Sequence, residues 1–182
     1  RARRRAEQAD HAIQPIVPHW KHYLGIIVIA SSQAGVGLII AFLCQLPVFG
    51  SKYLDLRTAL FAVGFLALNM ALIDPMEWKY TSAEIKKGII GFLPHNAQER
   101  LIWIVVSLAV AVNEEIIYRA VFFGLLYHLI GIYWIAGMIS ATLFAIGHRG
   151  HGPIAVGSTF FVGLVLQWFV QLTGGLYVSI VV

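Results

Sequence analysis

From Leu101 to Gly147 the chain runs almost without interruption through apolar residues. A membrane-crossing helix takes about 20 residues, so this run is too long for one span and about right for two. Two adjacent antiparallel helices are therefore expected, with the turn best placed near Gly131 and the second helix over Ile132 to Gly147. Other apolar blocks extend the pattern. Tyr23 to Phe49 is too long for a signal-peptide core, which runs to about 15 residues, and is expected to be the first span. Thr58 to Ile73 is a short second span whose ends, Arg57 and Asp74, can snorkel. Ile154 to Leu172 follows, "TGG" turns, and a further apolar run begins at Leu176.

The composition agrees. Hydrophobic residues make up 59% and charged residues 12%, and a soluble surface carries about twice that charge density. The expected fold class is all-α, a polytopic transmembrane helix bundle with about five complete spans plus a truncated sixth. Three regions are expected: a basic cytosolic juxtamembrane segment over residues 1–22, where Pro15 and Pro18 oppose a continuous helix; two spans and an amphipathic linker over 23–99; and a helical core over 100–182. Within the linker, Ser82 or Thr81 is the expected N-cap of a surface helix.

The net charge of +4 bears on topology and anionic membrane lipid. No basic stripe interleaved with aromatics supports a nucleic-acid partner. With a cytosolic N-terminus, Arg1, Arg3, Arg4, Arg5, Lys21, Lys79, Lys86, Lys87, Arg100 and Arg149 fall on the cytosolic side, against Lys52 and Arg57 opposite. The single cysteine, Cys44, excludes an intrachain disulfide and a zinc ribbon, and is expected as a small buried hydrophobe. Gln33 and Gln45 are expected to face protein rather than lipid.

Three charges interrupt the long run, in "AVNEEIIYRAVFFGLL". An ionisable side chain within a span costs roughly 2.5–3.5 kcal/mol, so such residues point to function. On an α-helix Glu115 and Arg119 lie about 40° apart in the favourable acid-before-base order, whereas Glu114 lies about 140° from Arg119. One ion pair and one unpaired carboxylate result. Glu114 is 17 residues before Gly131 and His148 is 17 after it. At about 1.5 Å per residue both lie some 25 Å from the turn, on adjacent helices. A carboxylate and an imidazole around a water form a hydrolytic arrangement, with or without a metal. His151 is expected in a loop, His128 at the opposite membrane surface, and His11, His19, His22 and His95 in polar segments.

Glu114-Glu115-x-x-x-Arg119 followed by Phe144-x-x-x-His148 resembles the first two motifs of the CAAX protease and bacteriocin-processing membrane proteins, the CPBP or Abi family. The resemblance covers about residues 100–182, where Phe161 and Gly163 fit the aromatic-glycine pattern of the following segment. It implies an intramembrane endopeptidase acting on a peptide or prenylated-protein substrate near the cytosolic face. Glu114 and His148 would activate the attacking water, while Glu115 and Arg119 would hold the helix and orient Glu114. No cofactor is expected. The alternative is zinc held by Glu114, Glu115 and His148, a smaller donor set than the best zinc sites present. A later family helix carries a histidine and an asparagine that bind the oxyanion; the chain stops before it, so the fragment alone is expected to be inactive. Two other functions remain open: a non-catalytic immunity or scaffold protein of the same fold, and a proton- or cation-coupled transporter.

Overall fold

The computed structural model describes residues 19–50 and 55–181. The basic tail with Pro15 and Pro18, and Lys52 in the first loop, lie outside the described residues. Of the structure, 87% is helical, and no strand occurs among the described residues. In chain order the helices are α1 (His19–Leu43), α2 (Leu56–Tyr80), α3 (Ala83–Phe92), α4 (Ala97–Ile130), α5 (Tyr133–Gly147), α6 (Pro153–Thr173) and α7 (Tyr177–Val181). α1, α2, α4 and α6 are long and apolar enough to cross a membrane, and α5 is a shorter apolar helix of 15 residues. Large apolar side chains cover the outside: Phe42 and Leu129 are each 83% exposed. Such a surface is stable only against lipid. The chain is a multi-pass, all-α membrane protein.

The turn between α4 and α5 falls at Gly131, whose φ of 74° is a left-handed conformation that favours glycine. α1 differs from expectation. It ends at Leu43 because Gln45 takes a φ of 53°, and the following residues fold back. Leu46 and Val48 then join a core with Ile116, Ala120, Val121 and Leu176. The reversal leaves Cys44 and Gln45 exposed, so neither is buried in protein as expected. Gln33 is exposed as well, although its side chain accepts a 3.2 Å hydrogen bond from the Asn113 side chain.

α2 is longer than its apolar block. It passes through Asp74 and Pro75 to Tyr80 because residues Asn69–Ile73 are π-helical. The Asp74 N–H bonds the Asn69 carbonyl, five residues back. In an α-helix the Pro75 ring would collide with the carbonyl four residues earlier, and the wider turn relieves that collision. Ser82 caps α3, its hydroxyl accepting from the Ile85 N–H at 3.3 Å, while Thr81 ends α2. The far end of α3 is anchored by Tyr23, which is 0% exposed and donates to the Phe92 carbonyl at 2.8 Å. Tyr23, Phe92 and Trp103 meet edge to face with ring centroids 5.2 to 5.5 Å apart.

Small residues set the helix crossings, as is usual where lipid replaces water. A Cβ on Gly37 would lie 2.8 Å from Ile116, which brings α1 close to α4. A Cβ on Gly163 would lie 3.2 Å from that of Ala141, which fixes α6 against α5. The loop after α1 and the turn before α7 approach closely enough that Gly50 and Gly175 have no room for side chains between them. The Leu176 N–H donates to the Val48 carbonyl there at 3.2 Å. α4 is thereby held on several sides around residues 113–121.

Candidate active site

α4 changes its winding at the motif. Ala97–Glu114 is α-helical, Glu115–Phe122 is π-helical, and α-helix resumes at Phe123. The π segment buries Glu115, Ile116, Arg119, Ala120 and Val121. Glu115 and Arg119 are 4% and 3% exposed, with Arg119 Nη1 3.0 Å from Glu115 Oε1. Arg119 Nη2 has no hydrogen-bond partner among the described residues. The guanidinium instead lies over the Phe144 ring, 4.1 Å from its centroid, where the negative π face meets its charge. Ser179 of α7 lies beside the Glu115 carboxylate. The expected ion pair is thus present, and α5, through Phe144, is its second partner.

Glu114 points elsewhere. Its Oε1 lies 3.9 Å from His148 Nε2, and the two side chains are 30% and 29% exposed. His148 caps the C-terminus of α5, and its Nδ1 lies 2.9 Å from the Phe144 carbonyl. A carbonyl can only accept, so Nδ1 carries a proton, and in its neutral form the ring presents the Nε2 lone pair toward Glu114. Two acceptors now face each other at a separation too long for a direct hydrogen bond. One water donating to both would fit that gap.

The two helices that carry the pair differ in length. α4, with 34 residues, is about 51 Å long, and α5, with 15, about 22 Å. The hydrocarbon core is about 30 Å thick, so α5 is shorter than that core. His148 and the turn Arg149–His151 follow its last residue, with His148 facing Glu114 near the middle of α4. A cleft of about 320 Å³ reaches His148 and Phe144 from between α2 and α6. Phe65, Met70, Val162 and Leu166 line it on one side, and Asp74 and Glu77 on another. The Ser158 hydroxyl donates to the Glu77 carboxylate and ties α6 to α2 at its edge. A larger cavity of about 440 Å³ lies near Tyr127, His128 and Tyr133, and neither Glu114 nor His148 lines it.

Among the described residues, no group of three or more His, Cys, Asp or Glu could hold a metal. Glu115 is committed to Arg119, so the set Glu114, Glu115 and His148 offers only two free donors that converge. The His151 ring lies 6.0 Å from that of His148.

Two residues were not singled out by sequence reasoning. Ser140 of α5 donates to the Tyr118 carbonyl at 2.6 Å, a bond that spans the helices inside the π segment. Tyr118 packs between Phe122 and Phe144, with ring centroids 5.7 and 5.0 Å away. Tyr118 is four residues after Glu114, a spacing that marks a shared helix face. Ser140 carries no such local signal.

Comparison with protein families matches residues 96–182 to the Rce1-like family, type II CAAX prenyl endopeptidase Rce1-like. No curated protein and no solved structure matches the chain. The matched span begins at the cap of α4 and holds both glutamates, Arg119 and His148. Over these helices, just under half of the chain, the protein is similar to the Rce1-like family of type II CAAX prenyl endopeptidases.

Proposed function

We propose that this protein is an intramembrane endopeptidase that cleaves a peptide or prenylated-protein substrate with water activated by Glu114 and His148, without a metal. The observation that carries the reading is the pair of acceptors 3.9 Å apart, in helices similar to an endopeptidase family. A water between them gives one hydrogen to His148 Nε2 and the other to Glu114. Glu114 takes its proton as the water oxygen attacks the scissile carbonyl carbon, and the carbonyl π pair moves onto oxygen. Collapse of the tetrahedral intermediate breaks the C–N bond, and the leaving amine receives the proton held by Glu114. Glu115 and Arg119 take no part in the transfer; they fix the π segment that aims Glu114.

Lysine and arginine placement supports a cytosolic N-terminus. Lys79, Lys86, Lys87, Arg100 and Arg149 then share the cytosolic side, and substrate enters from that face.

In the full-length protein, Glu114→Ala and His148→Ala should each lower cleavage of a membrane-anchored peptide by about 10²–10⁴-fold in vesicles, with unchanged membrane abundance. Full activity in both variants would overturn the mechanism. A zinc chelator should leave the parent rate unchanged. Loss of activity on chelation, restored by added zinc, would overturn its metal-free part.

A further inference from the structure

The cleft that reaches His148 carries two negative charges and no counterion. Asp74 and Glu77 line it, three residues apart on α2 and hence on one helix face. α2 continues to Tyr80, which places Asp74 about 9 Å before the end of its helix. Among the described residues neither carboxylate forms a salt bridge, and the charge that bears on Asp74 is the like charge of Glu77. Two lysines that follow in the chain turn to aromatic rings instead. Lys79 Nζ lies 5.4 Å from the Tyr80 centroid, and Lys86 Nζ 5.4 Å from that of Trp78. The Ser158 hydroxyl donates to Glu77 Oε1 and fixes that carboxylate, while Oε2 accepts no hydrogen bond among the described residues. Uncompensated carboxylates in a membrane helix mark the path of a ligand that brings the opposite charge. The same cleft has apolar lining in Phe65, Met70, Val162 and Leu166, and it touches the proposed water-activating histidine. One occupant satisfies all of these features: a peptide with a cationic side chain on the carboxylates, apolar neighbours on the apolar lining, and its backbone passing His148.

We infer that Asp74 and Glu77 are specificity-determining residues of the proposed peptidase, selecting a substrate with a lysine or arginine close to the scissile bond. This rests on the endopeptidase reading above. The ammonium or guanidinium donates to Asp74 and to the open oxygen of Glu77, which Ser158 holds in place. The cleft measures only about 320 Å³, so the cation must belong to a residue near in sequence to the bond that meets His148. α2 lies outside residues 96–182, which match the endopeptidase family. The selection is therefore a property of this chain's own earlier helices and not of the segment that carries the catalytic pair.

The test compares two membrane-anchored peptides that differ at one position near the cleavage point, lysine in one and norleucine in its twin, with that position moved along the peptide. In vesicles the full-length protein should cleave the best lysine peptide with a kcat/KM about tenfold above its twin, the scale of one hydrogen bond to a charged group. Asp74→Asn with Glu77→Gln keeps both side-chain shapes and an acceptor for Ser158, and should bring that ratio close to one. Asp74→Lys should turn the preference toward a peptide with glutamate at the same position. A ratio taken within one preparation does not depend on how much of the protein folds. Equal cleavage of the twins at every position, or a preference that survives the double variant, would overturn the assignment. Binding to Glu114→Ala separates the two ideas. A lysine preference in binding that Asp74→Asn with Glu77→Gln removes supports the carboxylate assignment; if Glu114→Ala still cleaves, only the water-activation mechanism falls. Equal binding of the twins to a Glu114→Ala variant that no longer cleaves overturns the assignment alone.

Discussion

Among the described residues, two π-helical segments interrupt membrane helices, and they have different causes. In α2 the segment Asn69–Ile73 buries none of its residues and sits directly before Asp74 and Pro75. Its cause is local: the proline ring excludes the ordinary α-helical turn. In α4 the segment Glu115–Phe122 contains no proline and buries five residues, two of them charged. Its cause is tertiary. Ser140 takes the Tyr118 carbonyl from a neighbouring helix, Phe144 covers Arg119, and Gly37 lets α1 press against Ile116. π segments recur at functional sites, and the contrast shows why both can occur in one chain. The α2 segment lets a rod continue past a proline. The α4 segment holds Glu115 buried against Arg119, while Glu114, just before it, reaches His148.

The largest test of that contrast removes the buried cation. Arg119→Ala leaves the Glu115 carboxylate buried without its partner and should cost about 3–5 kcal/mol, read as a fall in thermal midpoint in detergent. The double variant Glu115→Leu with Arg119→Leu should recover most of this loss, since no charge is then stranded. The corresponding change in α2, Met70→Ala at a residue 64% exposed, should cost little. Equal losses at Arg119 and Met70 would break the distinction between the two segments.

A smaller effect is expected at Ser140. Ser140→Ala removes one interhelical hydrogen bond and should cost about 0.5–1.5 kcal/mol. It should also speed amide exchange over residues 115–122 and lower kcat, because Glu114 loses a constraint on its helix. An unchanged exchange pattern would mean that Ser140 does not hold the π winding.

Pro75→Ala should do least. The site is exposed, and such changes usually fall within about 0.5 kcal/mol. The restored N–H should let residues 69–74 rewind toward α-helical spacing, detectable as slower amide exchange there. Persistence of the π turn without the proline would show that α2, too, is held by tertiary contacts.

Most of the fold is legible in the sequence because bilayer thickness acts on local composition. The apolar blocks predict the spans, Gly131 the turn between α4 and α5, and Ser82 the start of α3. The errors fall where local composition is silent. Nothing near Gln45 announces a left-handed residue, so α1 is read past Leu43, and Cys44 and Gln45 are placed inside. The pairing of Glu115 with Arg119 follows from spacing alone, and the meeting of Glu114 with His148 from their equal distances to Gly131.

The sequence by itself determined a helical membrane protein and which charged residues would meet, because hydropathy, helical rise and the position of one glycine are local quantities. Only the tertiary structure decided how they meet: the π winding around Arg119, the Phe144 ring over its guanidinium, and the Ser140 bond to the Tyr118 carbonyl. Each of these depends on contacts between helices far apart in sequence, set by small residues at the crossings, which no local pattern specifies.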